Sequence, residues 1–299
     1  PYVDRLVFKP FPDENVRLTN VKTGDADVLI GNPAYKDIQD LKNDPSLAVK
    51  EIPGLGFSLL LLNTQQEPFD NPAVRRAFSY AIDREQIRDT VFFGNGRALD
   101  SAVPQTIPWA YADRHPYLKR DVAKAKQELS AAGKPNGVAF TLQISNSSPE
   151  QQQIAELLKD QIKDAGLEME IQLLEFATII ANAMAGTHQA VALGTTGDVD
   201  PDGNLYALAY TNAGMNIAKY SNLALDKLLD EARATLDQGK RAALYKQAQQ
   251  ILFDDQPFIV YYNPPQITVT QKSVQNYPQT YNSYWGARDL EEVWKAAAR

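Results

Sequence analysis

The stretch "FTLQISNSSPEQQQIAELLKDQIKDAGLEMEIQLLEFATIIANAMAGTHQAVALG", residues 140–194, changes its hydrophobic period at each step. "FTLQIS" alternates apolar and polar residues as a strand does. Residues 149–165 then place Ile154, Leu157, Leu158, Ile162 and Ala165 on one helical face. In "EMEIQLLE", Met169, Ile171 and Leu173 alternate with Glu168, Glu170 and Gln172, the pattern of a half-exposed strand. A helix over 177–186 and the apolar strand "AVALG" complete the series. Strand, helix, strand, helix, strand in this order implies an α/β layer with parallel strands. Ser148 and Gln151 form a capping box around Pro149 at the first helical position, and Gly166 stops the same helix.

Further helices flank this unit. Asn71 followed by Pro72 caps a helix whose buried stripe is Val74, Phe78, Ala81 and Ile82. "DVAKAKQELSAAG" (121–133) has apolar Val122, Ala125, Leu129 and Ala132 between the cap Asp121 and Gly133. Leu225, Leu228, Leu229, Ala232 and Leu236 mark a helix after Asn222, and Leu244, Ala248, Ile251 and Leu252 mark another. The short gap containing Gly239 suggests a helical hairpin. Charge runs such as "DKLLDEAR" read as solvated faces. Leu55–Leu62 has the length of a buried strand, and "FIVYYNPPQITVT" gives two strands broken by Pro264 and Pro265. The tail is expected to end in a short helix around 290–295. Residues 1–62 offer a strand-like "RLVFKPF" (5–11), a helix over 14–23 and "ADVLIG" (26–31), pieces that need a sheet to join.

Composition narrows the function. A chain of 299 residues that is 44% hydrophobic has ample core for one large or two ordinary domains. A net charge of -7 without a basic stripe argues against nucleic acid or an anionic membrane as partner. The absence of cysteine removes disulfides, zinc thiolates and thiol catalysis. Only His115 and His188 could serve as imidazole bases, and no serine motif, P-loop or dinucleotide fingerprint accompanies them. His115 reads as a surface loop residue, His188 as part of a helix-to-strand turn. Because the chain opens with Pro1-Tyr-Val-Asp, it is expected to begin inside a longer protein or after a removed segment.

Three aspartates follow "AVALG": Asp198, Asp200 and Asp202, then Gly203. The spacing matches the start of an EF-hand loop, but position 12 is Ala209 where calcium needs a bidentate glutamate. A hydrolase pair is a second reading, weakened because alternate residues point apart. A third is a turn in which Asp202 or Asn204 caps a helix starting near Leu205. A fourth is ligand contact at the carboxyl end of a strand, where open α/β sheets bind ligands.

"FDNPAVRRAFSYAIDREQI" (69–87), "DVAKAKQELSAAG", "GDVDPDGNLY" (197–206) and "YSNLALDKLLDEARATLDQGKRAALYKQAQQILFDDQPFIVYY" (220–262) occur in this order, after "LTNVKTGDADVLIG" (18–31). The set resembles the peptide/nickel class, family 5, of extracytoplasmic solute-binding proteins that serve ABC importers. The resemblance implies a type II-like periplasmic binding protein fold with a parallel or mixed sheet flanked by helices, closing two lobes over a ligand. Members are usually longer, so the chain resembles a C-terminal fragment: 66–267 as the second lobe, with 1–65 and 268–299 belonging to a partial first lobe. It further implies a monomer without catalytic residues, metal or cofactor, exported beyond the cytoplasm or to the periplasm, that hands its solute to membrane permease subunits. In peptide-binding relatives an aspartate before the "DP" pair takes the ligand's α-amino group. The matching residue is Asp198, with Asp200 as the alternative because the spacing is one residue shorter. Thr195 and Thr196 stand beside it, where relatives often carry a tryptophan. Nickel, opines and oligosaccharides are other solutes of such proteins.

Overall fold

The computed structural model describes residues 2–11, 13–278 and 290–296. The chain begins with α1 (Glu14–Thr23), β1 (Val28–Leu29), α2 (Ile38–Asn43), β2 (Leu47–Pro53) and β3 (Phe57–Leu62). Next come α3 (Pro72–Ala81), α4 (Arg84–Val91), β4 (Arg97–Ala98) and α5 (Val122–Ala131). The alternating stretch folds as β5 (Val138–Ser145), α6 (Pro149–Lys163), β6 (Leu167–Leu174), α7 (Phe176–Ala185) and β7 (Ala190–Thr195). After it follow α8 (Pro201–Ala209), α9 (Leu223–Ala234), α10 (Gln238–Asp255), β8 (Phe258–Asn263) and β9 (Pro265–Gln271).

Two compact units emerge, one from the chain up to Leu55 and from Pro264 onward, the other spanning Gly56–Asn263. The chain passes between them at 55/56 and 263/264, upstream of the 65/66 and 267/268 divisions read from sequence. The reason is β3: Leu59–Leu62 are fully buried in the larger unit's sheet instead of standing beside the N-terminal pieces.

In the smaller unit β9 is the central strand, antiparallel to β1 and β2. Leu18, Val21, Leu29, Ile38, Leu41, Leu47, Ile267 and Val269 form its core. α1 starts where Asp13 accepts the Val16 amide and stops at Gly24 in the left-handed region. Residues 5–11 form no strand. The expected terminal helix is instead a single 3-10 turn, Leu290–Glu292, followed by Trp294–Lys295 paired antiparallel with Val274–Gln275. The Tyr- and Asn-rich tail is described only outside 279–289.

In the larger unit the strand order is β4-β8-β3-β7-β5-β6. β5 runs parallel to β6 and β7, but β3 is antiparallel to β7 and β8, so the sheet is mixed. β6 is the edge strand that its alternating pattern implies. From β5 the chain moves outward through α6 to β6, then back past β5 through α7 to β7. Right-handed crossovers in opposite directions place the two helices on opposite faces. The side chains agree: Ile154, Ala155 and Leu158 of α6 face Leu142, Ile144 and Ala192. Asn182 of α7 donates to Gln143, which lies between those two β5 residues in sequence.

Phe69, Phe78 and Phe140 join α3 to β5, with ring centroids 4.9 to 6.1 Å apart. Arg84 is fully buried with its guanidinium donating to the carbonyls of Ser79, Tyr117 and Val260, and burial pulls its pKa down to about 10. The α9–α10 hairpin forms, but its loop is 235–237 and Gly239 lies inside α10. Leu236 is 100% exposed, and α10 buries Tyr245, Gln249 and Phe253 alongside Ala248 and Leu252, a face rotated from the expected stripe. His115, expected as a surface loop residue, is half-buried and held in place. Its Nδ1 meets Asp100 Oδ1 at 2.6 Å, its Nε2 meets the Ala112 carbonyl at 2.8 Å, and its ring stacks on Tyr111.

Candidate functional site

β5 is the strand at which the chain reverses direction across the sheet, with crossovers leaving it toward β6 and returning beyond it to β7. In open α/β sheets the helices on opposite faces leave a crevice at the carboxyl ends of the strands flanking such a point. Here those ends are Ser145, leading into Asn146–Ser147 and α6, and Thr195, leading through 196–200 into α8. Asn146, Ser147, Thr196, Asp198 and Val199 are exposed, so both loops present polar backbone and side chains to solvent. The β5 loop is held locally: Ser145 and Ser147 share a 2.8 Å hydroxyl contact, and Ser148 accepts the Gln151 amide. The Gln151 side chain accepts from the Ser145 amide and so does not close a reciprocal box on Ser148.

On the β7 side, Thr195 turns toward β3. Its Oγ1 accepts the Phe57 amide at 3.3 Å, and its carbonyl passes so close to Gly56 that an added Cβ would lie 2.4 Å away. The helix that follows starts at Pro201, with Asp200 as its cap, accepting the Asp202 amide at 3.0 Å. Sequence reasoning placed this helix start near Leu205 and the cap at Asp202 or Asn204. The structure corrects both: Asp200 before Pro201 repeats the Asn71-Pro72 and Ser148-Pro149 arrangement.

The three aspartates have three different fates. Asp200 is gripped by Arg241, whose two terminal nitrogens donate at 2.9 and 3.0 Å. Partial burial raises its pKa, but the Arg241 hydrogen bonds, the Asp202 amide and the Arg241 charge outweigh this and hold it below its ordinary range. Asp202 pairs with Arg233 through Nε at 3.0 Å and Nη2 at 2.9 Å, while Arg233 lies 3.7 Å over the Tyr206 ring. Asp198 accepts the Asp200 amide at 3.0 Å and has no cationic side chain within ion-pair distance among the described residues. It is the exposed, uncompensated negative charge of the loop.

Among the described residues no three His, Cys, Asp or Glu side chains converge as a metal ion requires. A hydrolase pair is no better served, since two of the carboxylates are engaged by arginines. His188 sits buried just before β7 with neither ring nitrogen in good hydrogen-bond geometry among the described residues, and burial holds its pKa below the usual value against the opposing pull of the Asn182 backbone. Sequence reasoning missed Arg233 and Arg241 because both lie in charge-rich helical segments that read as solvated faces.

The family model of the bacterial extracellular solute-binding proteins, family 5 Middle, matches residues 1–216. The chain belongs to this family. It is 31% identical over 282 residues to the probable di/tripeptide-binding protein 5 of Pseudomonas aeruginosa, covering 93% of this chain and 53% of that protein. It is 33% identical over 294 residues to heme-binding protein A of Haemophilus influenzae, covering 95% and 53%. Among solved structures, the ABC transporter-associated periplasmic binding protein DppA from Helicobacter pylori in complex with peptide STSA superposes with a TM-score of 0.82. The sequence identity is 26%, over 96% of this chain and 56% of that one. The chain thus spans about half the length of the curated relatives it matches. These relatives are named as binding proteins, not enzymes. No helix among the described residues is long and apolar enough to cross a membrane.

Proposed function

We propose that the protein captures a short peptide, or a similar amine-bearing solute, and delivers it to the permease of a bacterial ABC importer. The observation that carries this reading is the uncompensated Asp198 carboxylate at the carboxyl end of β7, next to two aspartates already neutralised by arginines. An ammonium group supplies the missing charge, and a hydrogen bond to a charged group is worth roughly 1.5–3 kcal/mol. Asp200 is the weaker anchor, since a ligand there would have to displace Arg241. Thr196 stands exposed as the rim beside the anchor, while Thr195, with its hydroxyl on Phe57, holds the loop's root in place. The di/tripeptide-binding relatives and the peptide-bound neighbour support this class of solute. We assign the protein no catalytic residue and no cofactor. We read it as a monomer working outside the cytoplasm, with Gly56–Asn263 as its second lobe.

The test is isothermal titration of the whole protein with free-amine di- and tripeptides, with the same peptides N-acetylated, and with the Asp198→Asn variant. Acetylation and Asp198→Asn should each weaken binding about tenfold to a hundredfold, and together no further. Equal affinity for acetylated peptides would refute an ammonium anchor.

The heme-binding relative favours a second reading, a bulky tetrapyrrole ligand. Its anionic propionates are poorly matched to an uncompensated carboxylate. A heme titration followed in the Soret band distinguishes the two.

A further inference from the structure

We infer that Gly203 and Asn204 are the positioning residues of Asp198, and that they set the strength of its bond to the ligand's ammonium. The inference rests on the reading of Asp198 as the anchor. Asp198 folds back onto the first turn of α8. A Cβ added at Gly203 would lie 2.5 Å from Asp198 Oδ2, 2.6 Å from its Cγ and 2.7 Å from its Cβ. Real side chains do not approach this closely, so any residue but glycine at 203 must push the carboxylate away.

The need is for space and not for an unusual backbone. Gly203 lies inside a helix, where glycine is a weaker choice than alanine, and it is absent from the glycines with positive φ. A locally unfavourable residue at a site of close approach marks a constraint imposed by its neighbour.

Asn204 provides the second hold. Its side chain is buried, at 4% exposure, and Oδ1 accepts the Asp198 amide at 3.1 Å. Its Nδ2 has no partner among the described residues, so this one bond to Asp198 accounts for the only hydrogen bond its side chain makes there. The Asp200 amide holds Asp198 Oδ1 at 3.0 Å. The carboxylate is therefore fixed from its backbone, from one oxygen and from beneath before a ligand arrives, which lowers the ordering cost of binding.

The test uses trialanine and N-acetyl-trialanine on the whole protein, comparing wild type with Asp198→Asn, Gly203→Ala and Asn204→Ala. Gly203→Ala should lose most of the preference for the free amine, about tenfold, while affinity for the acetylated peptide stays unchanged. Asn204→Ala should lose part of it. Melting temperatures give a readout that needs no ligand. Gly203→Ala should lower the melting temperature when Asp198 is present and raise it in the Asp198→Gly background, where alanine improves the helix without a clash. Should Gly203→Ala keep the free-amine preference that Asp198→Asn loses, the positioning role is wrong and the anchor stands. Should Asp198→Asn keep that preference, or wild type fail to prefer the free amine, the anchor reading fails and the inference with it.

Discussion

Arg241 donates to both carboxylate oxygens of Asp200, from Nη2 to Oδ1 at 2.9 Å and from Nη1 to Oδ2 at 3.0 Å, while Asp200 also caps α8. One side chain thus ties α10 to the start of α8 and ends the loop that carries Asp198. Asp200→Ala removes a helix cap and takes from Arg241 its carboxylate partner, leaving it the Ala232 carbonyl and the Tyr245 hydroxyl, and should cost about 1–2 kcal/mol in denaturant unfolding. Because the folded chain holds Asp200 below its ordinary pKa, its contribution is complete above about pH 4. It is lost as the pH falls further, through the folded value. The difference in midpoint between wild type and Asp200→Ala should therefore shrink in acid.

The two histidines should respond to pH in opposite senses. Both ring nitrogens of His115 face acceptors, the Asp100 carboxylate and the Ala112 carbonyl, so both must carry protons. Burial opposes this charge, but the bond and charge of Asp100 and the Ala112 carbonyl prevail and raise its pKa. The stabilisation is full below about pH 6.5 and is lost as the pH rises through the folded value. His115→Ala should cost about 1.5–3 kcal/mol at pH 6 by chemical denaturation, and less at pH 9.

His188 is held neutral, with its pKa lowered by burial. The unfolded chain takes up the proton first, so stability should fall as the pH drops below about 6.5. The ring meets the Asn182 backbone outside good hydrogen-bond geometry, so replacing it by an apolar ring of similar shape is close to neutral or stabilising. His188→Phe should therefore melt higher than wild type at pH 5.5, with a smaller gain at pH 8.

Gly56 meets the Thr195 carbonyl where β3 joins β7, at the root of the candidate site. Gly56→Ala should destabilise the chain by about 1–3 kcal/mol, as overpacking does. Thermal melts with and without a bound peptide would reveal whether the strain reaches the 195–200 loop.

Most of the α/β layer was legible because its signals are local. The period switches of 140–194 gave β5, α6, β6, α7 and β7 in order, and caps such as Asn71 and Ser148 fixed helix starts. What depended on distant partners was not legible. β3 is hydrophobic enough for any buried sheet, and only its pairing with β7 and β8 assigns it to the larger unit. β2 and α4 passed unread, since Leu47–Pro53 shows no clean apolar/polar alternation, with Leu47 alone buried, and α4 follows α3 almost without a break. Asp200-Pro201 carried the same cap signal read correctly twice elsewhere, but three alternating aspartates suggested a metal loop first. Arg241 pairs with Asp200 across 41 positions and His115 with Asp100 inside a long irregular loop. Periodicity contains no record of such contacts.

A crystal structure of the whole protein with a bound free-amine tripeptide tests Asp198 as the ammonium anchor most directly. The predicted result is the α-amino nitrogen within about 3 Å of the Asp198 carboxylate, with Asp200 still paired to Arg241. An ammonium group seated on Asp200 with Arg241 displaced, or a peptide bound away from the 195–200 loop, would contradict it.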